Sequence, residues 1–364
     1  MRAWLEVLRI SNLPTVWTNV LVGVVLSIAI ARPSDPSLVA VFVAIAAGSC
    51  LYLAGMVFND VFDVEIDRRE RPGRPIPSGR IGRNAAIAFG TVLLGIGVGL
   101  PWMHGIIAGS VATGIGLMLL AYDALHARTA WSVLLMGGCR GGLYILGMAC
   151  LNEPSGAPAD DGLLVAMIIG GVAAIHVACF SLIARFEVPD VRETCPECEQ
   201  IVLSDHAVCP ECAGACGPEQ RTEQASSRLQ RMRSWCGSGT LVLLLPFLGC
   251  CGLFGLVSTT KGASYAFGMS DHLAFLLVGA NLVSILILGA YLVRSTRGLA
   301  EKPHEVGRFV LRSIAVLSLY DAAICGLVAL ERFDQKDNSL LAATIICIAC
   351  FFLVRWSHRR IPGT

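Results

Sequence analysis

Residues 58–80 read FNDVFDVEIDRRERPGRPIPSGR, and a row of carboxylates in this stretch directly follows a long apolar run. Asn59 or Asp60, then Asp63, then Asp67 are spaced so that they can share one face of a helix. Hard oxygen ligands in this pattern suit Mg²⁺, which takes its remaining ligands from water and substrate phosphates. The alternative is a solvated helix end whose charges pair among themselves. Carboxylates on an apolar helix are costly, however, and favour a functional site.

A group of arginines follows these carboxylates within the same stretch. Guanidinium groups donate paired hydrogen bonds to phosphate oxygens. The carboxylates and the arginines together predict a site at which Mg²⁺ bridges the protein to a diphosphate. The arginines are Arg68, Arg69, Arg71 and Arg74.

The composition shows what kind of chain must position this site. Of the 364 residues, 55% are hydrophobic and only 15% are charged, which is typical of a polytopic membrane protein. A membrane-spanning helix needs about 20 mostly apolar residues. Runs of this kind predict ten spans at 14–31, 38–58, 84–103, 105–122, 132–150, 162–184, 239–258, 272–293, 309–330 and 339–355.

The distribution of positive charge predicts the orientation of these spans. Most lysines and arginines fall on one face when the amino terminus is placed in the cytoplasm, as the positive-inside rule requires. Both termini are then cytoplasmic, and the protein lies in the cytoplasmic membrane. The first apolar stretch lacks a small-residue cleavage site and is expected to remain as the first helix. The net charge of +1 therefore hides an asymmetry between faces and does not indicate nucleic-acid binding.

A polar, cysteine-rich segment interrupts the apolar pattern and predicts a small cytoplasmic insert at 191–236, between a first unit at 1–190 and a second at 237–364. Two C-x-x-C pairs lie in this insert and predict a structural Zn²⁺ site of the zinc-ribbon type. The four expected Zn²⁺ ligands are Cys195, Cys198, Cys209 and Cys212. A redox role and disulfides are the weaker alternatives on a cytoplasmic loop.

The motif NDVFDVEIDRRERPGRPIPSGRI resembles the first aspartate-rich motif, and the R-P-x-P-S-G turn after it, of the UbiA superfamily of intramembrane prenyltransferases. The stretch LRISNLPTVWTNVLVG is similar to the first helix of that family, with Arg9 and Asn12 at characteristic positions. The resemblance covers residues 1 to about 190, whereas the last four helices match only by hydropathy.

This resemblance implies an all-α polytopic membrane protein with a UbiA-like bundle of nine to ten transmembrane helices around a central cavity. The cavity is expected to open to the cytoplasm and to lipid, and the zinc-ribbon insert is an addition to the bundle. Members of the family bind a polyprenyl diphosphate through Mg²⁺ and two acidic motifs, and ionise it to an allylic cation. They then alkylate an acceptor, often an aromatic ring. Asn12 is expected among the diphosphate-binding residues.

The second acidic motif of the family should close the sixth helix, where this chain reads ARFEVPDVRE. The resemblance implies that Glu187 and Asp190 are Mg²⁺ ligands and act in catalysis with Asp63 and Asp67. Pro189 disfavours helix at the preceding residue, so a simple polar helix cap is the alternative. The RFEV ending and the ten helices are also similar to an eboC-like branch of the superfamily, and a degenerate second motif is compatible with a lost or changed transferase step.

The family's third signature is a tyrosine followed four residues later by a lysine. Here the stretch reads YDALHART, so Tyr122 is kept, His126 replaces the lysine and Asp123 is an unexpected negative neighbour. Tyr122, His126 and Arg128 are candidate diphosphate ligands. The alternative is a loop with no catalytic duty.

Three isolated polar residues lie inside predicted spans. Arg140 lies among glycines that let helices approach closely, and an intramembrane arginine usually faces a polar cavity. It is a candidate cavity-lining or diphosphate-binding residue, with a buried structural ion pair as the alternative. For His176 and Asp321, cavity lining and hydrogen bonding between helices both remain open.

These patterns predict a Mg²⁺-dependent prenyltransferase that moves a polyprenyl group from its diphosphate to an aromatic or other lipid-soluble acceptor. A non-catalytic binder or transporter of a prenylated or aromatic metabolite is the alternative, favoured by His126 and the altered second motif. A scaffold whose zinc ribbon recruits a cytoplasmic protein partner is compatible with either. The expected partners are thus the diphosphate donor, the acceptor, membrane lipid and a protein at the ribbon, with no nucleic acid.

Overall fold

The structure is a computed structural model that describes residues 2–31, 37–151, 160–185, 192–194, 201–203, 306–331 and 338–358. Within these ranges it is almost entirely helical, and eight helices are long and apolar enough to cross a membrane. Eight of the ten predicted spans are thereby confirmed as helices. The other two, at 239–258 and 272–293, lie outside the described residues.

The amino-terminal half contains eight α-helices. Helix α2 is preceded by a 3₁₀ turn at Ile10–Asn12 and continues into a π-helical turn at Ser27–Ala31. A proline at the start of α2 fits the first turn, where its missing N–H would have no helical partner. The helices are α1 Arg2–Leu8, α2 Leu13–Leu26, α3 Leu38–Phe62, α4 Val64–Glu70, α5 Arg83–Trp102, α6 Ile106–Leu125, α7 Ser132–Leu151 and α8 Asp160–Ala184.

Two short strands and two further helices complete the described chain. Strands β1 (Arg192–Thr194) and β2 (Ile201–Leu203) pair antiparallel, with Glu193 opposite Val202. Helices α9 (Val306–Glu331) and α10 (Asn338–Ser357) follow. The four cysteines of the predicted zinc site lie outside the described residues, so the zinc ribbon remains a prediction.

Helix α2 lies at the centre of the bundle and packs against α3, α7, α9 and α10. Its close approach to α7 depends on glycine, because a Cβ at Gly147 would meet the backbone of Val20 and one at Gly23 would meet the backbone of Tyr144. Large apolar side chains such as Phe42, Leu117 and Phe352 are exposed on the outside of the bundle. That surface is suited to lipid.

The first acidic motif does not lie on one continuous helix. Helix α3 ends at Phe62, Asp63 forms its C-cap, and the short helix α4 begins at Val64. The turn after α4 passes through three prolines and reaches Gly79 at φ 75°, a left-handed conformation that glycine adopts without strain. Contacts of His126 with Asp63, and of Arg185 with Thr129 and His126, bring the ends of α3, α6 and α8 and the start of α7 together on one side of the bundle.

Candidate active site

A chain of ion pairs joins the first acidic motif to two arginines at this end of the bundle. Arg74 Nη1 lies 2.7 Å from Asp67 Oδ2 and 3.5 Å from Asp60 Oδ1. Arg9 Nη2 lies 3.3 Å from the same Asp60 oxygen. Both carboxylates are 4% exposed. Since isolated buried carboxylates are costly, these arginines neutralise the pair in the absence of a ligand.

Arg9 itself is held in an unusual backbone conformation, with φ 43° and ψ 48°. The hydroxyl of Tyr52 donates a hydrogen bond of 3.1 Å to its carbonyl oxygen. A left-handed non-glycine residue costs about 1 kcal/mol or more and persists where its surroundings fix it. The strained turn directs the Arg9 guanidinium towards Asp60.

Asp63 faces away from these arginines and towards the end of α6. Its Oδ1 lies 2.8 Å from Nε2 of His126, whose ring stacks on Tyr122 at a centroid distance of 5.2 Å. The hydrogen bond to Asp63 raises the pKa of His126, against the opposing effect of burial. The contact with Asp63 therefore favours the protonated form of His126.

Asp123 is a buried carboxylate at the same end of the bundle. It is 4% exposed, and its Oδ1 has a long contact of 3.5 Å with the amide nitrogen of Asn59. Its Oδ2 has no hydrogen-bond partner among the described residues. His126 Nδ1 bonds to the backbone carbonyl of Asp123, at 3.0 Å, and not to its carboxylate.

A cavity of about 610 Å³, counted to its open mouth, runs from these polar groups into the bundle between α3, α6 and α7. Asn59, Tyr122 and Asp123 line its polar end, and Arg140 lines it further along α7. Most of the remaining lining is apolar: Leu51, Gly55, Met56, Ile115, Leu119, Met136, Cys139 and Leu143. A charged site thus opens directly onto an apolar chamber.

Arg140 is tied to helix α2 through uncharged side chains. Its Nη1 donates to the Thr15 hydroxyl at 3.0 Å and to the side-chain amide oxygen of Asn19 at 3.1 Å. Asn19 donates to Asp321 on α9 at 2.7 Å, and Tyr144 donates to the same carboxylate at 2.6 Å. Arg140 thus lines the cavity and is linked to Asp321 through the side chain of Asn19.

The segment that matches a known protein family contains most of the residues described above. Residues 20–193 match the UbiA prenyltransferase family model, a segment that contains the acidic motif, the cavity-lining parts of α3, α6 and α7, and the end of α8. The chain carries a UbiA prenyltransferase family domain. Together with eight apolar helices of spanning length, this domain makes the chain an integral, multi-pass membrane protein.

Two curated relatives of the UbiA domain carry the same name. The chain is 27% identical over 206 residues to digeranylgeranylglyceryl phosphate synthase of Methanosarcina mazei, which covers 53% of this chain and 66% of the relative. It is 34% identical over 129 residues to the protein of that name from Ignicoccus hospitalis, covering 35% of this chain and 40% of the relative. The chain thus spans less than two thirds of the length of these relatives.

A solved structure supports the fold independently. The apo structure of a UbiA homologue from Aeropyrum pernix K1 matches with a TM-score of 0.53 at 16% identity, covering 86% of this chain and 96% of the other. At this identity the match shows the UbiA fold alone. None of these comparisons bears on the eboC-like branch, which remains a prediction.

Several predicted site residues gather around the polar end of the UbiA cavity, and others do not. Asn59, Tyr122 and Arg140 line the cavity, and Asp60, Asp63, Asp67, Arg74 and His126 form the ion pairs beside it. Arg71 is half-buried after α4, and Arg128 is exposed beyond α6. Glu187 and Asp190 lie outside the described residues.

Asn12, predicted to bind the diphosphate, lies at the start of α2 and stays a prediction in that role. It is 7% exposed, and its side-chain amide oxygen lies 2.6 Å from Nε2 of His358, just beyond α10. Burial, together with nearby Arg355, lowers the pKa of His358 to about 4. A neutral His358 thus donates to Asn12 and fixes the carboxyl end of α10 to the start of α2.

Sequence reasoning missed Thr15, Asn19 and Arg185 as parts of the site. The α2 residues could have been found from their spacing, because Asn12, Thr15 and Asn19 recur on one face of an apolar helix. Arg185 donates to the carbonyl oxygens of Thr129 and His126 at 2.6 and 2.7 Å. It ties the end of α8 to the loop that presents His126.

The donor set of the UbiA domain fits Mg²⁺ without forming a complete metal cage. Among the described residues, no three His, Cys, Asp or Glu side chains are grouped as a ready metal site. Mg²⁺ commonly binds through one or two carboxylates plus water and substrate phosphates, so a cage is not needed. The buried oxygen of Asp123 without a partner, beside Asn59 and Asp63, is the kind of hard donor that Mg²⁺ takes.

Proposed function

We propose that the protein transfers a polyprenyl group from its diphosphate to a lipid-soluble acceptor inside the membrane, in a Mg²⁺-dependent reaction. The observation that supports this most directly is the junction of two environments in one cavity. Asn59 and Asp123 line its mouth next to the ion pairs of the first acidic motif, and apolar side chains line most of the remainder. A prenyl diphosphate has the same two parts, a multiply charged head and a hydrocarbon tail.

The head of the donor would bind at the cavity mouth. Asn59, Asp60, Asp63 and Asp67 would hold Mg²⁺, with Glu187 and Asp190 from the second motif completing the set. When bound, Mg²⁺ neutralises charge that develops on the leaving diphosphate. Arg71, Arg74, Tyr122, His126 and Arg128 are the proposed donors to its oxygens. Arg74 now pairs with Asp67 and Asp60, so donor binding would divide its hydrogen bonds between carboxylate and phosphate.

The tail would occupy the chamber between α3, α6 and α7. Leu51, Met56, Leu119 and Leu143 provide an apolar wall that excludes water from the reacting carbon. The C–O bond to diphosphate breaks and leaves an allylic cation. The acceptor's nucleophilic atom then forms a bond to the same carbon and loses its proton. A dry wall protects the cation from capture by water.

The names of the curated relatives support a lipid phosphate as acceptor. Digeranylgeranylglyceryl phosphate is a glyceryl phosphate that carries two geranylgeranyl groups, so such an acceptor would already carry one of them. Arg140, a cation lining the chamber, suits an acceptor or donor with an anionic group. An aromatic acceptor remains the alternative within the same reaction class. The cytoplasmic membrane, cytoplasmic termini and a protein partner at the cysteine-rich insert are further parts of this proposal.

The test is a transfer assay on the purified protein in lipid nanodiscs. Labelled geranylgeranyl diphosphate is supplied with geranylgeranylglyceryl phosphate or with a hydroxybenzoate, with Mg²⁺ or with a chelator. We expect a Mg²⁺-dependent prenylated product. Asp67→Asn should lower its rate at least about 100-fold, because it removes a charged ligand of the Mg²⁺ that would stabilise the leaving diphosphate. Glu65→Gln, an exposed carboxylate of the same segment paired with Arg68, should stay within about twofold.

Two results would contradict this function. The first is a product that forms equally well with Asp67→Asn. The second is tight donor binding with no product from any acceptor, which would instead support a binder or transporter.

A further inference from the structure

Asp123 differs from the other carboxylates at the cavity mouth in that its side chain forms no salt bridge with a described residue, although His126 lies nearby. Asp60 and Asp67 pair with arginines, and Asp63 pairs with His126. Asp123 is equally buried, yet its Oδ2 has no hydrogen-bond partner within the described part of the chain. Leaving a buried charged group unpaired costs several kcal/mol, so such a position is retained where a ligand compensates it.

The neighbours of Asp123 cannot supply that compensation in the observed arrangement. Both ring nitrogens of His126 are engaged, Nε2 with Asp63 and Nδ1 with the Asp123 backbone carbonyl. The amide nitrogen of Asn59 reaches Oδ1 at only 3.5 Å, at the limit of a hydrogen bond. The carboxylate therefore faces the cavity with unused acceptor capacity.

Oxygen-bearing side chains that could share a cation with Asp123 lie close to it. Asn59 and Asp123 both line the cavity, and Asp63 lies one helical turn beyond Asn59, with its backbone N–H bonded to the Asn59 carbonyl at 3.0 Å. Turning the Asn59 amide over would present its oxygen in place of its nitrogen. Three hard oxygen donors from α3 and α6 would then surround one point at the cavity mouth.

We propose that Asp123 is an additional ligand of the divalent cation, shared with Asn59 across the contact between α3 and α6. This inference rests on the proposed function, because the cation is the one that carries the diphosphate. The expected ligand class is a small hard cation, Mg²⁺ or Mn²⁺, that keeps several water or phosphate ligands. The carboxylate that stands out as an extra charge in YDALH is thus part of the site.

The test measures Mn²⁺ binding by electron paramagnetic resonance on the full-length protein, with no prenyl diphosphate present. Asp123→Asn should weaken Mn²⁺ binding at least about tenfold, since it replaces a charged ligand by a neutral one. Glu65→Gln, also a carboxylate of the acidic segment, should leave Mn²⁺ affinity unchanged. Asn59→Ala combined with Asp123→Asn should cost less than the two single changes added together, because the two side chains would share one ion.

Thermal unfolding without metal separates ligand loss from misfolding. Asp123→Asn should be at least as stable as the wild type, because it removes an uncompensated buried charge. If it fails to fold, Asp123→Glu, which keeps the charge but moves it by one methylene, should bind Mn²⁺ more weakly than the wild type. Unaltered Mn²⁺ affinity in the folded variants, or no Mn²⁺ binding by the wild type, would overturn the proposal. A wild-type protein that binds Mn²⁺ but forms no prenylated product would instead count against the proposed function.

Discussion

Arg74→Gln is expected to destabilise the ligand-free protein and to make it more responsive to Mg²⁺. The guanidinium of Arg74 lies 2.7 Å from Asp67 and 3.5 Å from Asp60, and both carboxylates are 4% exposed. Removing Arg74 leaves Asp60 with Arg9 but takes from Asp67 its close ion pair. The two buried carboxylates then repel each other, and an added divalent cation can relieve that repulsion.

The magnitude follows from the burial of the partners. Breaking a buried ion pair by removing one member costs about 3 to 5 kcal/mol. The Arg74 side chain is 24% exposed, so water weakens the interaction, and we expect a loss of roughly 2 to 3 kcal/mol in the free energy of unfolding. Arg68→Gln is the matched control, because Arg68 and Glu65 are 58% and 67% exposed and their pair should contribute below about 0.5 kcal/mol.

The assay is reversible unfolding in mixed micelles, followed by circular dichroism, with and without Mg²⁺. Arg74→Gln should lose stability without Mg²⁺ and should regain more of it than the wild type when Mg²⁺ is added. Arg68→Gln should follow the wild type in both conditions. Equal stability losses in the two variants, or an Arg74→Gln variant indifferent to Mg²⁺, would refute the reasoning that Arg74 neutralises a latent cation site.

Three further predictions concern other parts of the molecule. Gly141→Ala should destabilise the protein by about 1 to 3 kcal/mol, because its Cβ would lie 2.6 Å from the Gly170 carbonyl oxygen. Gly171→Ala, with open space around its Cβ, should not, and equal losses would contradict the packing. The low pKa of His358, about 4, means that the unfolded chain takes up its proton first, so stability should fall as pH drops from about 6.5 towards 4. His358→Gln should flatten this dependence of stability on pH. An unchanged dependence would show that His358 does not cause it. Cys198→Ser should lower bound zinc measured by mass spectrometry, and full zinc content would exclude this cysteine as a ligand.

Local spacing predicted the parts of the site that depend on a single segment. Asp60 and Asp67 are seven residues apart, a spacing that returns to the same side of a helix, and both reach Arg74 in the structure. The interruption at Asp63 was not predictable, because Asp63 keeps near-helical angles of φ −81° and ψ −1° with no glycine or proline beside it. That small change directs Asp63 towards His126.

Contacts between distant segments could not be predicted from spacing. Arg140 was expected to face a polar region, but its partners Thr15 and Asn19 lie on α2, 125 and 121 residues away. The contact between Asn59 and Asp123 joins residues 64 apart. Such pairings depend on which helices pack together, and the glycines that permit close packing do not specify the partner helix.

The hydrogen bond between Asn19 and Asp321 can form only late in the synthesis of the chain. These residues are 302 positions apart, so α2 enters the membrane long before its carboxylate partner on α9 exists. At about 5 to 20 residues per second, synthesis of the intervening chain takes roughly 15 to 60 s. During that interval the amide of Asn19 can use Tyr144, which is made after 125 residues, but Asp321 arrives only near the end. The first span therefore completes its polar contacts only after α9 has been made. A nascent chain halted after residue 193 would contain the whole segment that matches the family, but α2 would still lack its partner Asp321.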